Sequence, residues 1–186
     1  MNRVFLTKLH LIAAAFMFPA MLMFLLTGAL YTWGNKGAWE ETSATITLSQ
    51  PYETLDENGL RKIAIDALTA EGLPEPSGSA NVEGEGSETK LSWSGARSEA
   101  SVKASDNPMA AQVELKGASV HRLFVQLHKA KGSTAFKIYA TTLAFVLFLL
   151  VLSGVIMGLQ VKALRKLTIT TSALGLAAFA GFVALG

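Results

Sequence analysis

Three imidazoles carry most of the chemistry this 186-residue chain could offer: His10, His121 and His128. Histidine can present a ligand nitrogen or move a proton near neutral pH. The chain has no cysteine, which excludes disulfides, iron–sulfur clusters, thiolate zinc sites and a thiol nucleophile. No glycine-rich phosphate loop precedes a helix, so no catalytic constellation is visible. His121 and His128 are seven residues apart, which on a continuous helix puts them on one face, about 10.5 Å apart along the axis. Two such side chains cannot approach one atom from opposite sides, so each needs a partner from another helix or another subunit. A plainer reading stands beside this one. Val120–Lys137 mixes Arg122, Lys129, Lys131 and Lys137 with Leu123, Phe124, Leu127 and Phe136. That is the pattern of an amphipathic segment lying among lipid headgroups. His10, close to Lys8, equally suits a membrane interface.

The elements that must position these residues are set by an uneven charge distribution. Charged residues make up 16% of the chain, and all 14 acidic ones lie between Glu40 and Glu114. Ordinary globular domains carry about 25% charged residues. Such a chain is neither a soluble globule nor disordered, and a formal net charge of +2 gives no reason to expect nucleic acid. Leu11–Trp33 contains no ionisable charge, and as a helix it is about 34 Å long, enough to cross a hydrocarbon core of about 30 Å. A second uncharged run covers 138–161 and a third, richer in Gly, Ala and Thr, covers 167–186. The first run exceeds a signal-peptide core and lacks a small-residue cleavage pattern, so it is read as an uncleaved anchor. Tyr31 and Trp33 suit its interfacial end. Thr27-Gly28, Ser153-Gly154, Gly175 and Gly181 read as helix-packing positions, and Pro19 is expected to kink the first span.

Arg3 and Lys8 before the first span, with Lys162, Arg165 and Lys166 in a five-residue turn between the second and third, place those flanks in the cytoplasm by the positive-inside rule. The region between the first two spans then lies outside. Within it, Leu60, Ile63, Ala64, Ala67 and Leu68 form a helical apolar stripe, with Thr54 or Asp56 as cap and Gly72 and Pro74 as stop. After Pro74 the period changes to two, through Leu91 and Trp93, then Ala100, Val102 and Ala104, then Ala111, Val113 and Leu115. Ser105–Pro108 is the turn between the last two strands. A short strand near Asn81–Glu83 would make four. The expected fold is three transmembrane helices plus a small α+β extramembrane domain, a helix followed by antiparallel strands.

The stretches LTKLHLIAAAFMFPAMLMFLLTGALYTW and VHRLFVQLHKAKGSTAFKIYATTLAFVLFLLVLSGVIMGL resemble the two hydrophobic blocks of PepSY-associated transmembrane proteins. In that family a histidine stands at the membrane entry, and TG or SG pairs end the spans. The intervening region is similar in order to a PepSY domain. The resemblance implies a bacterial inner-membrane protein linked to iron uptake, whose larger relatives are haem-containing reductases of ferric siderophores. It divides the chain into 1–33 (cytoplasmic flank and first span), 34–117 (PepSY-like periplasmic domain), 118–137 (basic interfacial segment), 138–161 and 167–186 (second and third spans). The chain is about half the length of those reductases and carries one PepSY-like unit. The expectation is therefore a non-enzymatic accessory or interaction module. The alternative is a haem b electron-transfer protein with His10, His121 and His128 as candidate ligands. A bis-imidazole site would then need a homodimer or a membrane partner subunit, since His10 is expected at the opposite end of the bilayer from the other two.

Overall fold

The computed structural model describes residues 3–186, and they fall into two compact units, 3–21 with Ala140–Gly186, and Leu22–Tyr139. The first unit is helical. It contains the N-terminal part of α1 (Arg3–Thr32), most of α4 (Thr134–Gln160) and all of α5 (Lys162–Leu185). These three helices are long and apolar enough to cross a membrane, and their outward apolar side chains contact lipid. Pro19 sits inside α1 without ending it. The expected five-residue turn between the last two spans shrinks to one residue. Val161, with extended backbone angles, is all that separates α4 from α5. Lys162, Arg165 and Lys166 therefore belong to the first turns of α5.

The second unit holds the α+β domain. α2 (Glu57–Ala70) is capped by Asp56, whose carboxylate accepts from the Gly59 amide at 2.8 Å, while Thr54 bonds back to the Pro51 carbonyl. Gly72, at φ +68°, takes the left-handed conformation that ends helices. The stripe Leu60, Ala64 and Leu68 is buried to 1% exposure or less against Leu91, Trp93, Val102 and Val113. At about 1.5–3 kcal/mol for each large apolar side chain, this single layer is the domain's main source of stability. Tyr52 closes the core. Its hydroxyl donates to the Thr89 carbonyl at 2.8 Å, and burial pushes its pKa upward.

The sheet is antiparallel throughout and runs β1-β5-β4-β3-β2. Its strands are β1 (Trp39–Thr47), β2 (Ala80–Glu83), β3 (Lys90–Ser94), β4 (Ser98–Ala104) and β5 (Ala110–Ala118). The turn from β4 to β5 is the one expected. The Asn107 side chain accepts from the Met109 amide and its carbonyl from the Ala110 amide. The strand absent from the sequence reading is β1, which lies on the sheet edge beside β5, with Trp39 opposite Ala118 and Thr47 opposite Ala110. Seven of its nine residues are exposed, so it lacks the apolar alternation that betrays a strand. The sheet face away from α2 is polar and carries the pairs Lys116–Glu41 (2.6 Å) and Lys103–Glu114 (2.8 Å). The Lys103 ammonium holds the Glu114 carboxyl below the usual carboxylate range.

From β5 the chain enters α3 (Val120–His128), capped by Ser119, whose side chain accepts from the Arg122 amide. Val125 and Gln126 are its buried residues. Gly37, at φ +69°, lets the preceding linker pass against the backbone of His121 and Arg122, where a Cβ would collide. The segment 129–133 interrupts the helix before α4 starts at Thr134, with Ala130 at φ +59°.

Candidate histidine sites

His121 and His128 lie on one continuous helix, α3, as their spacing implies. Their surroundings differ. His128 is the last residue of α3, and its Nδ1 lies 2.8 Å from the Thr27 hydroxyl on α1. The Phe24 ring is tilted against the imidazole with ring centres 5.0 Å apart. Gly28 completes the seat, because a Cβ there would stand 3.2 Å from His128 Cε1. The helical turn carrying Thr27-Gly28 thus presents an acceptor and a clearance side by side. A cavity of about 270 Å³ adjoins these residues and is also lined by Tyr31, Thr32 and Lys129.

The Thr27 hydroxyl decides which ring nitrogen of His128 bears hydrogen. The hydroxyl has one proton, and it lies 2.7 Å from the Met23 carbonyl one helical turn back. With that proton donated to the backbone, the oxygen can only accept from the imidazole. His128 is therefore assigned as the Nδ1–H tautomer, with the lone pair on Nε2, which makes no hydrogen bond among the described residues.

The first unit repeats this arrangement. His10 Nδ1 lies 2.8 Å from the Ser153 hydroxyl on α4, and Ser153 in turn donates to the Leu150 carbonyl at 2.9 Å. The same proton count favours the Nδ1–H tautomer for His10, whose Nε2 makes no hydrogen bond among the described residues. An apolar groove of about 370 Å³ runs beside it, lined by Leu6, Leu9, Val146 and Leu149 among others. His121 shares neither set of contacts. Its Nε2 is buried without a partner among the described residues, as are Arg122 Nε and Gln126 Oε1.

The TG and SG pairs make contacts between helices through their hydroxyls, which bond back to their own helix and across to a neighbour. Thr27 and Ser153 bind imidazoles and Gly28 makes room for one. A Cβ at Gly154, Gly175 or Gly181 would meet nothing within 4 Å among the described residues. The clue was present in the sequence as two hydroxyl–glycine pairs in a chain with three histidines. Among the described residues, no group of three or more His, Cys, Asp or Glu side chains could hold a metal ion.

A known family, described as PepSY-associated TM region, matches residues 2–183 of this chain. No curated protein and no solved structure matches it.

Proposed function

We propose that this chain, which belongs to the PepSY-associated TM family, is a membrane-embedded accessory subunit that carries haem b on histidine, rather than a self-contained enzyme. The observation that carries this reading is the tethering of His10 and His128 through Nδ1, which leaves each Nε2 lone pair free. A ligating histidine needs that arrangement. A hydrogen bond from the far nitrogen fixes tautomer and ring orientation and raises ligand basicity. Haem iron supplies reversible one-electron chemistry when bound. Each site would offer a haem one imidazole nitrogen, so a further histidine would have to come from a second copy of the chain or from a partner subunit. The roles of the chain's own residues are to hold the imidazole (Thr27, Ser153), to clear space for it (Gly28) and, beside His10, to line it with apolar side chains such as Leu6, Leu9, Val146 and Leu149.

The reading extends to place. The basic flanks Arg3, Lys8, Lys162, Arg165 and Lys166 favour a cytoplasmic N-terminus in a bacterial inner membrane, with 34–137 in the periplasm. The link to iron uptake rests on family membership. A reporter active only outside the cytoplasm, fused at Gly86, is expected to be active.

The deciding measurement is the visible spectrum of the detergent-purified protein, oxidised and then dithionite-reduced. The expected result is a sharp reduced α-band that His128→Ala or His10→Ala diminishes and His121→Ala leaves intact. A featureless spectrum from cells supplied with haem refutes the haem assignment.

A further inference from the structure

We propose that Lys36 and Lys129, gathered about Tyr31, bind the phosphate of an anionic phospholipid headgroup. The Lys36 ammonium lies 5.5 Å from the centre of the Tyr31 ring and the Lys129 ammonium 5.9 Å from the same centre. Attraction to the ring gathers the two cations, but it supplies no counter-charge. The ion pairs of the described residues are Arg61–Glu75, Lys103–Glu114 and Lys116–Glu41, and neither Lys36 nor Lys129 joins a carboxylate. Two like charges held beside one ring repel each other unless an anion is present.

The chain cannot provide that anion locally. The stretches that link the sheet to α1 and α4, 33–38 and 119–133, contain Lys36, Arg122, Lys129 and Lys131 and no acidic residue. Tyr31 is the penultimate residue of α1, a helix apolar enough to cross a membrane, and the exposed Trp33 follows it. Aromatic residues at such a helix end mark the headgroup level, where phosphate is the abundant anion. Tyr31 and Lys129 also line the cavity of about 270 Å³, room for part of a polar headgroup. The proposal does not depend on haem or on His128.

The test is titration of the delipidated full-length protein with phosphatidylglycerol and with phosphatidylcholine, bound lipid being counted by native mass spectrometry. Wild type is expected to prefer phosphatidylglycerol. K36Q/K129Q should weaken its tightest site by about thirtyfold, the equivalent of two basic contacts at the surface of an anionic bilayer. K36R/K129R should restore it. K62Q/K90Q removes the same charge elsewhere and should leave it intact. Unchanged binding in K36Q/K129Q overturns the proposal, and so does an equal loss in K62Q/K90Q. Displacement of the lipid by inorganic phosphate at matched concentration would assign the site to free phosphate and overturn the lipid assignment.

Discussion

Thr27→Val tests the tautomer argument on which the histidine sites depend. Valine keeps the shape of threonine and removes the hydroxyl. In the wild type, reversing the His128 tautomer would require the hydroxyl to turn from the Met23 carbonyl, 2.7 Å away, to the imidazole. That forfeits one hydrogen bond worth about 0.5–1.5 kcal/mol, a preference of roughly two- to twelvefold for Nδ1–H. In the variant, an Nδ1 proton meets no acceptor at a position where Thr27 is only 4% exposed. Leaving it there costs about 1–3 kcal/mol, so the proton should move to Nε2. The assay is ¹⁵N NMR of histidine-labelled protein in lipid nanodiscs, at a pH that keeps all rings neutral. Three histidines make the spectrum assignable by single substitution. The expected result is an Nδ1–H pattern for His10 and His128, lost for His128 alone in Thr27→Val and for His10 alone in Ser153→Ala. A wild-type His128 already protonated on Nε2, or one indifferent to Thr27→Val, refutes the reasoning.

Other substitutions probe the neighbouring geometry. Gly28→Ala puts a Cβ 3.2 Å from His128 Cε1, so the imidazole must shift by a few tenths of an ångström. The His128 resonances should move in that variant while those of His10 stay fixed. Leu60→Ala empties a fully buried core position and should cost about 2–5 kcal/mol, read as a lower urea midpoint for the extramembrane domain. The Glu114 carboxyl is depressed by Lys103, so the pair's contribution is present above the unfolded carboxylate pKa and is lost as pH falls through the folded value. Both partners are more than one-third exposed, so Lys103→Gln should cost about 0.5 kcal/mol or less at pH 7. The difference between variant and wild type in urea should shrink as the pH is lowered through the folded carboxyl's value.

The sequence revealed most where burial imposes a pattern. The three charge-free runs, the stripe from Leu60 to Leu68 and the alternation through β3, β4 and β5 are all consequences of apolar faces meeting lipid or core. β1 escaped because an edge strand with seven exposed residues has backbone pairing but little burial to enforce a code. The α4–α5 boundary was misplaced because three basic residues look like a loop, although a helix tolerates them where its end emerges from the membrane. The histidine partners were visible only as residue types. That Thr27 and Ser153 face imidazoles on neighbouring helices depends on contacts 101 and 143 residues apart in sequence, which no local periodicity encodes.

The pairing of the first and last strands has a further consequence. β1 and β5 end together, and beyond them the Ser119 amide donates to the Ala38 carbonyl while the Ala38 amide donates to the Ser119 hydroxyl. The α+β domain therefore leaves and returns to the rest of the chain through two adjacent strands of backbone, the arrangement that allows a domain to be inserted into a loop of a host protein. Its remaining ties to the returning chain are side-chain contacts, among them Gln126 donating to the Glu99 carboxylate and Lys131 to the Ser94 hydroxyl. Excision of residues 39–118 and closure of the gap with a short flexible loop should leave a helical remnant that still inserts into membranes.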